Sequence, residues 1–252
     1  MPENLLRPAA FLAALLVAGA GLAADLGGRV ITVGSDTTYP PFEFVAEDGT
    51  PAGFDIDLVH AICARVNCVP LIQNTAWDGI FAALAAGEFD MVASGVSITP
   101  ERALVVEFGE AYHVVAQAIA VRLEDAGLTF EGLVADPRGV VGAQTGTTNA
   151  YFAEEAFGRE RLNLYDTFGQ AVQALLNGDV RGVVIDEVPA DAFAAQYAGD
   201  LVVEIRGLGA DPLGLVFQIG SELVDAFDHG LALLRADGTL DALKAKWFVA
   251  VD

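Results

Sequence analysis

Three loops in this sequence combine hydroxyl side chains with few charges, a composition that suits the binding of a small polar ligand. They are residues 35–44 (SDTTYPPFEF), residues 94–102 (SGVSITPER) and residues 145–149 (TGTTN). A Gly/Ser/Thr loop that precedes a helix offers the backbone N–H groups of the helix N-terminus to an anion. Ordinary capping of a helix by Ser or Thr explains any one such loop equally well. Because three occur in one chain, we favour a shared binding pocket.

Apolar runs and helical spacing alternate along the chain and place these loops at the ends of strands. We predict strands at residues 30–34, 69–73, 91–94, 114–121, 140–144, 183–185 and 202–205. We predict helices at residues 56–66, 77–86, 149–157, 168–176, 189–197, 223–234 and 240–247. This alternation indicates an α/β protein with largely parallel sheets. Ligands of open α/β sheets collect where the carboxyl ends of strands meet loops, which is where the three loops fall.

The composition excludes several classes of protein. The chain of 252 residues has 13 Lys and Arg against 35 Asp and Glu, a formal net charge of -22, which opposes nucleic-acid binding. Hydrophobic residues make up 54% of the chain, so we expect one large or two modest globular domains rather than disorder. No spacing of His, Cys and carboxylates indicates a metal site, and we expect no cofactor. We attribute the acidity to solubility or a saline habitat, because salt at about 0.15 M screens charges beyond about 8 Å.

Residues 1–24 have the pattern of a secretory signal peptide. Arg7 provides a positive start, residues 11–17 (FLAALLV) form a short apolar core, and we expect cleavage after Ala23 or Ala24. A membrane anchor is the alternative, but the apolar stretch is short for a bilayer span. We therefore expect an exported, soluble protein of the bacterial periplasm.

Two pairs of residues in the region of the first predicted helix need separate interpretations. The periplasm permits disulfides, so we favour a bond between Cys63 and Cys68 over two small buried thiols. Their spacing is not Cys-x-x-Cys, which argues against a redox role. Asp55 and Asp57 lie at the start of the same helix, where the helix dipole favours acids, so we assign them to structure.

Several motifs together resemble one family. The run GFDIDLVHAICARV at residues 53–66 resembles the signature of the family-3 extracellular solute-binding proteins, which serve polar amino-acid ABC importers. The resemblance continues in residues 35–44, 75–102, 141–150, 186–189 and 234–248. It implies a two-lobed fold of the type II periplasmic-binding-protein kind, a membrane permease as partner, no nucleic acid, and a monomer.

The resemblance also implies how the chain is divided. Lobe 1 would hold residues 25–112 and 214–252, and lobe 2 would hold residues 113–213. Two hinge crossings would join them near residues 112–117 and 208–214, and the lobes would close on the ligand. Residues 108–113 (FGEAYH) and Gln218 depart from the family pattern. These departures affect what the resemblance implies about the hinge, not what it implies about the ligand class.

The family's ligand-binding residues carry over to nine positions of this sequence. Arg102, Ser97 and Thr148 would bind the α-carboxylate of the ligand, and the guanidinium group of arginine suits a carboxylate because it donates two parallel hydrogen bonds. Asp186 and the carbonyl of Gly95 would accept the α-ammonium group. The remaining four positions concern the ligand side chain. They are the aromatic walls Tyr39 and Trp77, the polar contact Asp36 and the specificity position Gln144.

The ligand class is left open among a few alternatives. Because Asp36 and Glu43 lie close in sequence, we favour a ligand with a basic or amide side chain. An enzyme on the same fold, of the cyclohexadienyl dehydratase kind, would need a general acid or base, for which Glu43 and His113 are candidates without an identifiable orienting partner. A sensor ectodomain would need a membrane span or signalling domain. A related opine or osmolyte is compatible with the same residues.

Overall fold

The computed structural model describes residues 25–248, and the predicted signal peptide lies outside the described residues. The strands are β1 Arg29–Ser35, β2 Thr38–Tyr39, β3 Glu43–Val45, β4 Pro51–Ala52, β5 Cys68–Asn74, β6 Met91–Val92, β7 Glu107–Phe108, β8 His113–Val115, β9 Gln117–Arg122, β10 Val141–Gln144, β11 Leu162–Tyr165, β12 Gly182–Asp186, β13 Leu201–Ile205, β14 Asp211–Leu213 and β15 Val216–Phe217. The helices are α1 Phe54–Val66, α2 Ile80–Ala85, α3 Phe130–Ala135, α4 Thr148–Phe157, α5 Phe168–Asn177, α6 Glu187–Gln196, α7 Leu223–Ala236 and α8 Thr239–Trp247. The predicted α/β class is confirmed. Within residues 25–248, every helix is too short or too polar to cross a membrane.

Two five-stranded sheets form the framework. The first has the order β5-β1-β6-β15-β7, and the second has the order β11-β10-β12-β9-β13. In the first sheet β1 runs parallel to β5 and β6, whereas β15 runs antiparallel to β6 and β7. In the second sheet β10 runs parallel to β11 and β12, whereas β9 runs antiparallel to β12 and β13. Both sheets are therefore mixed, because strands that return from the other sheet enter in the opposite direction.

The chain passes twice between the two sheets. Strands β8 and β14 pair with each other as an antiparallel ribbon, separate from both large sheets. We predicted one continuous strand over residues 114–121, but the strand is interrupted at Ala116, where the chain leaves the ribbon and enters the second sheet as β9. The strands of the first sheet come before β8 or after β14 in the chain. The strands of the second sheet all come between β8 and β14.

The packing of α1 determines where the loop after β1 lies. One face of α1 is buried, including Phe54, Leu58 and Ile62. Gly53 precedes the helix with φ of 133°, and a Cβ atom there would overlap the carbonyl group of Phe42. Glycine therefore lets the N-terminus of α1 approach the chain at Phe42 and Glu43. At the other end of the helix, Cys63 and Cys68 form a disulfide with a Cα–Cα distance of 4.5 Å.

Other local differences from the prediction have simple causes. The predicted helix at residues 77–86 begins only at Ile80, because Gly79 adopts a left-handed conformation with φ of 84°. The small sheet of β2, β3 and β4 was not predicted, since its strands have two or three residues each. Apolar packing is continuous across the molecule: the largest buried cluster contains residues of both large sheets, such as Val33 and Val183.

Candidate functional site

One cavity lies where loops after the strands of both sheets meet. It contains about 340 Å3 of space not filled by protein atoms, part of it open to solvent. The structure brings all nine predicted residues to this cavity, namely Asp36, Tyr39, Trp77, Gly95, Ser97, Arg102, Gln144, Thr148 and Asp186. It adds five that the prediction did not include, namely Glu43, Ser94, Thr147, Asn149 and Phe168.

Arg102 provides a buried positive charge at one end of the cavity. It begins a short 3-10 helix, Arg102–Leu104. Its Nη1 donates to the carbonyl of Ser97 at 2.9 Å, and its Nη2 donates to the carbonyl of Gly146, in the second-sheet half, at 3.3 Å. The guanidinium carbon lies 5.2 Å from the centre of the Trp77 ring, which fixes the side chain from one face. Burial lowers the pKa of Arg102.

Hydroxyl groups and a helix N-terminus surround this arginine. Ser97 Oγ and Thr148 Oγ1 lie 3.4 Å apart, within hydrogen-bonding distance of each other. Thr148 is the first residue of α4, and Thr147 caps that helix by accepting from the N–H of Ala150. Together these groups can bind a carboxylate, because they combine one positive charge with neutral hydrogen-bond donors.

Asp186 provides a buried negative charge within the same cavity. It ends β12 and accepts hydrogen bonds from Tyr39 Oη at 2.6 Å and from Asn149 Nδ2 at 2.9 Å. Burial raises its pKa to about 6, against the opposing effect of these two hydrogen bonds. Although Asp186 directly precedes α6, its side chain makes no capping hydrogen bond to that helix. A buried carboxylate of this kind can accept a primary ammonium group.

The ring of Tyr39 forms part of the cavity wall. It stacks on Phe168, the first residue of α5, with ring centroids 5.1 Å apart. Tyr39 belongs to the half built on the first sheet and Phe168 to the half built on the second, so this stack bridges the two halves.

Asp36 and Gln144 make a second polar contact across the cavity. Gln144 Nε2 donates to Asp36 Oδ2 at 2.9 Å and to the carbonyl of Asp166 at 2.9 Å. Thr38 Oγ1 donates to the other carboxylate oxygen of Asp36 at 2.8 Å. Burial raises the pKa of Asp36, although the hydrogen bonds from Gln144 and Thr38 lower it. Both side chains can therefore exchange a protein partner for a polar group of a ligand.

Glu43 and Asp55 form an acidic pair at the cavity. The sequence suggested Glu43 as an acid near the ligand side chain and as a candidate general acid or base, whereas Asp55 was assigned to structure. Glu43 lines the cavity, and its Oε1 accepts from Ser94 Oγ at 3.2 Å. Asp55 lies behind it, where Oδ2 accepts from the N–H of Gly95 at 2.8 Å and from Tyr112 Oη at 2.8 Å. Burial raises the pKa of Asp55 to about 6, and burial together with the charges of Asp55 and Asp36 raises that of Glu43 well above its usual range.

The role of Asp55 differs from that of its neighbour in sequence. Asp57 is partly exposed and accepts from Lys246 Nζ and from Trp247 Nε1, as expected of a structural acid. Asp55 is fully buried instead and holds the backbone of the cavity loop at Gly95. In the sequence, the helix dipole accounts equally well for Asp55 and Asp57. Only the position of the loop at Glu43 in the structure distinguishes the two acids. His113, the other candidate acid or base, does not line the cavity, and burial lowers its pKa to about 4.

The described residues 25–248 contain no group of three or more metal-ligating side chains that could hold an ion. The side chains that line the cavity carry guanidinium, carboxyl, amide, hydroxyl and aromatic groups.

Comparison with known proteins gives matches over most of the chain. A family model described as bacterial extracellular solute-binding proteins, family 3, matches residues 31–250. ABC transporter arginine-binding protein 1 of Escherichia coli K12 is 30% identical over 225 residues, covering 86% of this chain and 90% of that protein. A solved structure of an ancestral arginine-binding protein bound to glutamine has a TM-score of 0.81 and 33% identity, covering 87% of this chain and 97% of the other. An ancestral amino acid-binding protein, described as a precursor of cyclohexadienyl dehydratase, has a TM-score of 0.80 and 34% identity, covering 87% and 96%.

Proposed function

Because this chain belongs to family 3 of the bacterial extracellular solute-binding proteins and has their type II periplasmic-binding-protein fold, we propose that it binds a polar L-amino acid between two lobes. One observation carries the proposal. A single cavity contains a buried guanidinium, that of Arg102, and a buried carboxyl group, that of Asp186. A free amino acid carries the complementary pair of charges on its α-carbon.

The α-carboxylate of the ligand would bind at Arg102. In place of the carbonyl of Gly146, the guanidinium would donate to the carboxylate, with Ser97 and Thr148 as further donors. A planar guanidinium forms two parallel hydrogen bonds with a carboxylate, which fixes the orientation of the ligand.

The α-ammonium group would bind at Asp186, with the carbonyl of Gly95 as a second acceptor. Tyr39 and Asn149 already hold the carboxyl group of Asp186 in one orientation. Contact with the ligand ammonium favours the ionised carboxylate, because an opposite charge lowers the pKa of an acid.

The side chain of the ligand would extend between Tyr39 and Trp77 toward Asp36 and Gln144. Aromatic faces suit both an alkyl chain and a cation. The acids at this end, Asp36 and Glu43, favour a basic or amide group. Two relatives support this choice, one named as arginine-binding and one solved with glutamine.

Ligand binding would be coupled to closure of the lobes. We propose that lobe 1 comprises residues 25–112 and 214–252, that lobe 2 comprises residues 113–213, and that the β8–β14 ribbon lies in the hinge. The hydrogen bonds from Tyr39 to Asp186 and from Gln144 to Asp36 join groups of the two lobes. A ligand that contacts both lobes shifts the equilibrium toward the closed form.

The closed form would deliver the amino acid to an ABC-type import permease. Two findings support this partner. The chain belongs to a family of solute-binding proteins, and one relative is named as an arginine-binding protein of an ABC transporter. We propose that the protein acts as a monomer in the periplasm after removal of residues 1–24 as a signal peptide.

An enzyme on the same fold is the second candidate, and Glu43 is the observation that favours it. A buried carboxyl group with a raised pKa that lines a cavity has the properties of a general acid. One structural relative is described as a precursor of cyclohexadienyl dehydratase. Binding remains our first choice because Arg102 and Asp186 match the two charged groups that every free amino acid carries.

A thermal-shift screen of residues 25–252, unfolded and refolded to remove carried-over ligand, tests the proposal. Natural amino acids, ornithine, citrulline, opines, osmolytes and cyclic acids would each be added, with analysis for product. A ligand at about 100 times its dissociation constant contributes about 2.7 kcal/mol, or about 5–10 °C in a chain of this size. A shift by basic or amide amino acids without product supports binding. Formation of a product from a cyclic acid would support the enzyme. The absence of a thermal shift with every amino acid would contradict the proposal.

A further inference from the structure

The acidic pair of Glu43 and Asp55 has an arrangement that the binding of an α-amino acid does not explain. Both side chains are fully buried. They meet at Gly95: Asp55 Oδ2 accepts from its N–H at 2.8 Å, and Glu43 Oε1 lies 3.7 Å from the position that a Cβ atom of residue 95 would occupy. Glu43 Oε2 and Asp55 Oδ1 have no hydrogen-bond donor. Among residues 25–248, neither carboxyl group belongs to an ion pair.

The groups around the pair do not supply a compensating charge. Asp36 faces Glu43 from the loop after β1, Tyr39 from β2, and Tyr112 faces both acids from the segment before β8. Ser94 and the N–H of Gly95 donate from the loop after β6. Two buried carboxylates in contact do not both ionise, because their repulsion adds to the cost of burial. One proton held between them would give each carboxyl group a partner.

We propose that Asp55, which does not line the cavity, is a specificity-determining positioning residue that shares one proton with Glu43. A ligand with a cationic side chain expels this proton to solvent, and a neutral ligand of the same shape leaves it in place. The inference rests on the proposed function and deepens it. According to this proposal, the preference for basic over neutral side chains depends on whether the pair holds its proton. Of the two acids, only Glu43 lines the cavity and can contact the ligand.

The proposal predicts a pH dependence with a definite sign. If one proton leaves when the cation binds, the association constant rises about tenfold per pH unit while the pair still holds its proton. Protonation of Asp186 affects all amino acids alike, since each carries the same α-ammonium group. The ratio of affinities for a cationic ligand and its neutral isostere therefore isolates the acids near the ligand side chain, namely the pair and Asp36, and the variant Asp36→Asn separates these two contributions.

The first experiment requires no ligand. Carboxyl-carbon NMR of the protein labelled at Glu and Asp, titrated between pH 3 and 9 and assigned with Glu43→Gln and Asp55→Asn, reports the protonation of each acid. We expect one carboxyl group of the pair to remain protonated well above the pH at which an ordinary carboxyl group ionises. Titration of both below pH 5, near the reference values of about 4 for such acids, would overturn the proposal.

The second experiment uses arginine and citrulline, which differ by a guanidinium and a neutral ureido group. Calorimetry at pH 6.5–8.5 in buffers of different ionisation enthalpy measures the protons released. We expect up to one proton for arginine and none for citrulline, so that the affinity ratio grows with pH. Equal release for both ligands, or a ratio of arginine to citrulline affinity that does not change with pH, would overturn the proposal.

Three variants separate positioning from a merely structural role. Asp55→Asn keeps an acceptor for Gly95 and Tyr112 and can donate to Glu43, so the pH dependence of the affinity ratio should be lost. Glu43→Gln should lose it too. The matched control, Asp36→Asn, should lower arginine affinity but retain the pH dependence. If Asp55→Asn weakens both ligands equally and leaves the pH dependence intact, Asp55 is structural only.

The two levels of inference fail in different ways. A protein that binds no amino acid would refute the proposed function, and the carboxyl titration would still decide whether the pair shares a proton. A protein that binds arginine with no proton release would keep the proposed function and refute the role of Asp55.

Discussion

The two ends of the cavity differ in how their charges are partnered. Near Arg102 and Asp186 the charges have opposite signs, and both groups have hydrogen-bond partners in the protein. Near Glu43 the charged groups are all acids, and two carboxyl oxygens have no donor. We infer that the first end recognises what all amino acids share, and that the second discriminates among their side chains.

This difference predicts how mutations should act. Changes at the Arg102 and Asp186 end should weaken every amino acid by a similar factor. Changes at the Asp36 and Glu43 end should weaken basic ligands selectively. Each of the following tests can contradict the division between the two ends.

Replacement of Arg102 by alanine should have the largest effect. Loss of one partner of a buried charged hydrogen bond costs about 2–5 kcal/mol, which lowers affinity roughly 30-fold to 4,000-fold. Titration calorimetry with arginine and glutamine measures the loss, which should be similar for both ligands.

Two further variants control for this test. Arg102→Lys retains a positive charge but not the planar pair of donors, so its affinity should lie between those of the wild type and Arg102→Ala. Arg138→Ala removes an exposed arginine away from the cavity and should bind normally. Unchanged affinity in Arg102→Ala, with circular dichroism showing a folded protein, would remove Arg102 from the site.

Replacement of Asp186 by asparagine should have the next largest effect. The variant keeps an acceptor but loses the charge that faces the α-ammonium group, so affinity should fall roughly 10-fold to 150-fold for both arginine and glutamine. Asp191→Asn on the same helix region is the matched control, because Asp191 pairs with Arg206 outside the cavity. A loss of affinity for arginine alone would mean that Asp186 contacts the ligand side chain, and it would contradict the division of the cavity into two ends.

The sequence predicted the first end better than the second, for a physical reason. Arg102, Thr148 and Asp186 each lie in a motif that resembles the family, so the motif context identified them although Thr148 also begins a helix. Asp55 lies at a helix start, where acids are common, and its burial depends on Gly53 letting the helix approach Glu43. That approach is a tertiary contact between segments ten residues apart, and no local pattern reports it.

The framework shows the same limit. Long apolar runs such as β1 and amphipathic helices such as α5 were predicted to within one or two residues. The break at Ala116 was not, because it depends on β8 pairing with β14, which lies far along the chain. The mixed direction of the strands follows from the same return crossings.

Replacement of Asp36 by asparagine should have a smaller and selective effect. Asp36 remains hydrogen-bonded to Thr38 and Gln144, so the variant should keep its place in the cavity. Loss of its charge should lower arginine affinity by about 1 kcal/mol, or about fivefold, and glutamine affinity by less. Calorimetry with both ligands measures the difference, and equal losses would remove Asp36 from the discrimination of side chains.

Removal of the disulfide should have the smallest effect on affinity, although it lowers stability. Cys63 lies near the C-terminal end of α1, about 12 Å along the helix from Asp55 at 1.5 Å per residue, and Cys68 begins β5. The double variant Cys63→Ala, Cys68→Ala should unfold about 2 kcal/mol more easily, since the bond closes only a short loop. Because α1 also packs on α7 and α8, its N-terminus should keep Asp55 against Glu43. Chemical denaturation and calorimetry should therefore show lower stability with arginine and glutamine affinities within about twofold of the wild type. A selective loss of arginine affinity would mean that the acidic end depends on the whole helix rather than on the contact at Gly53.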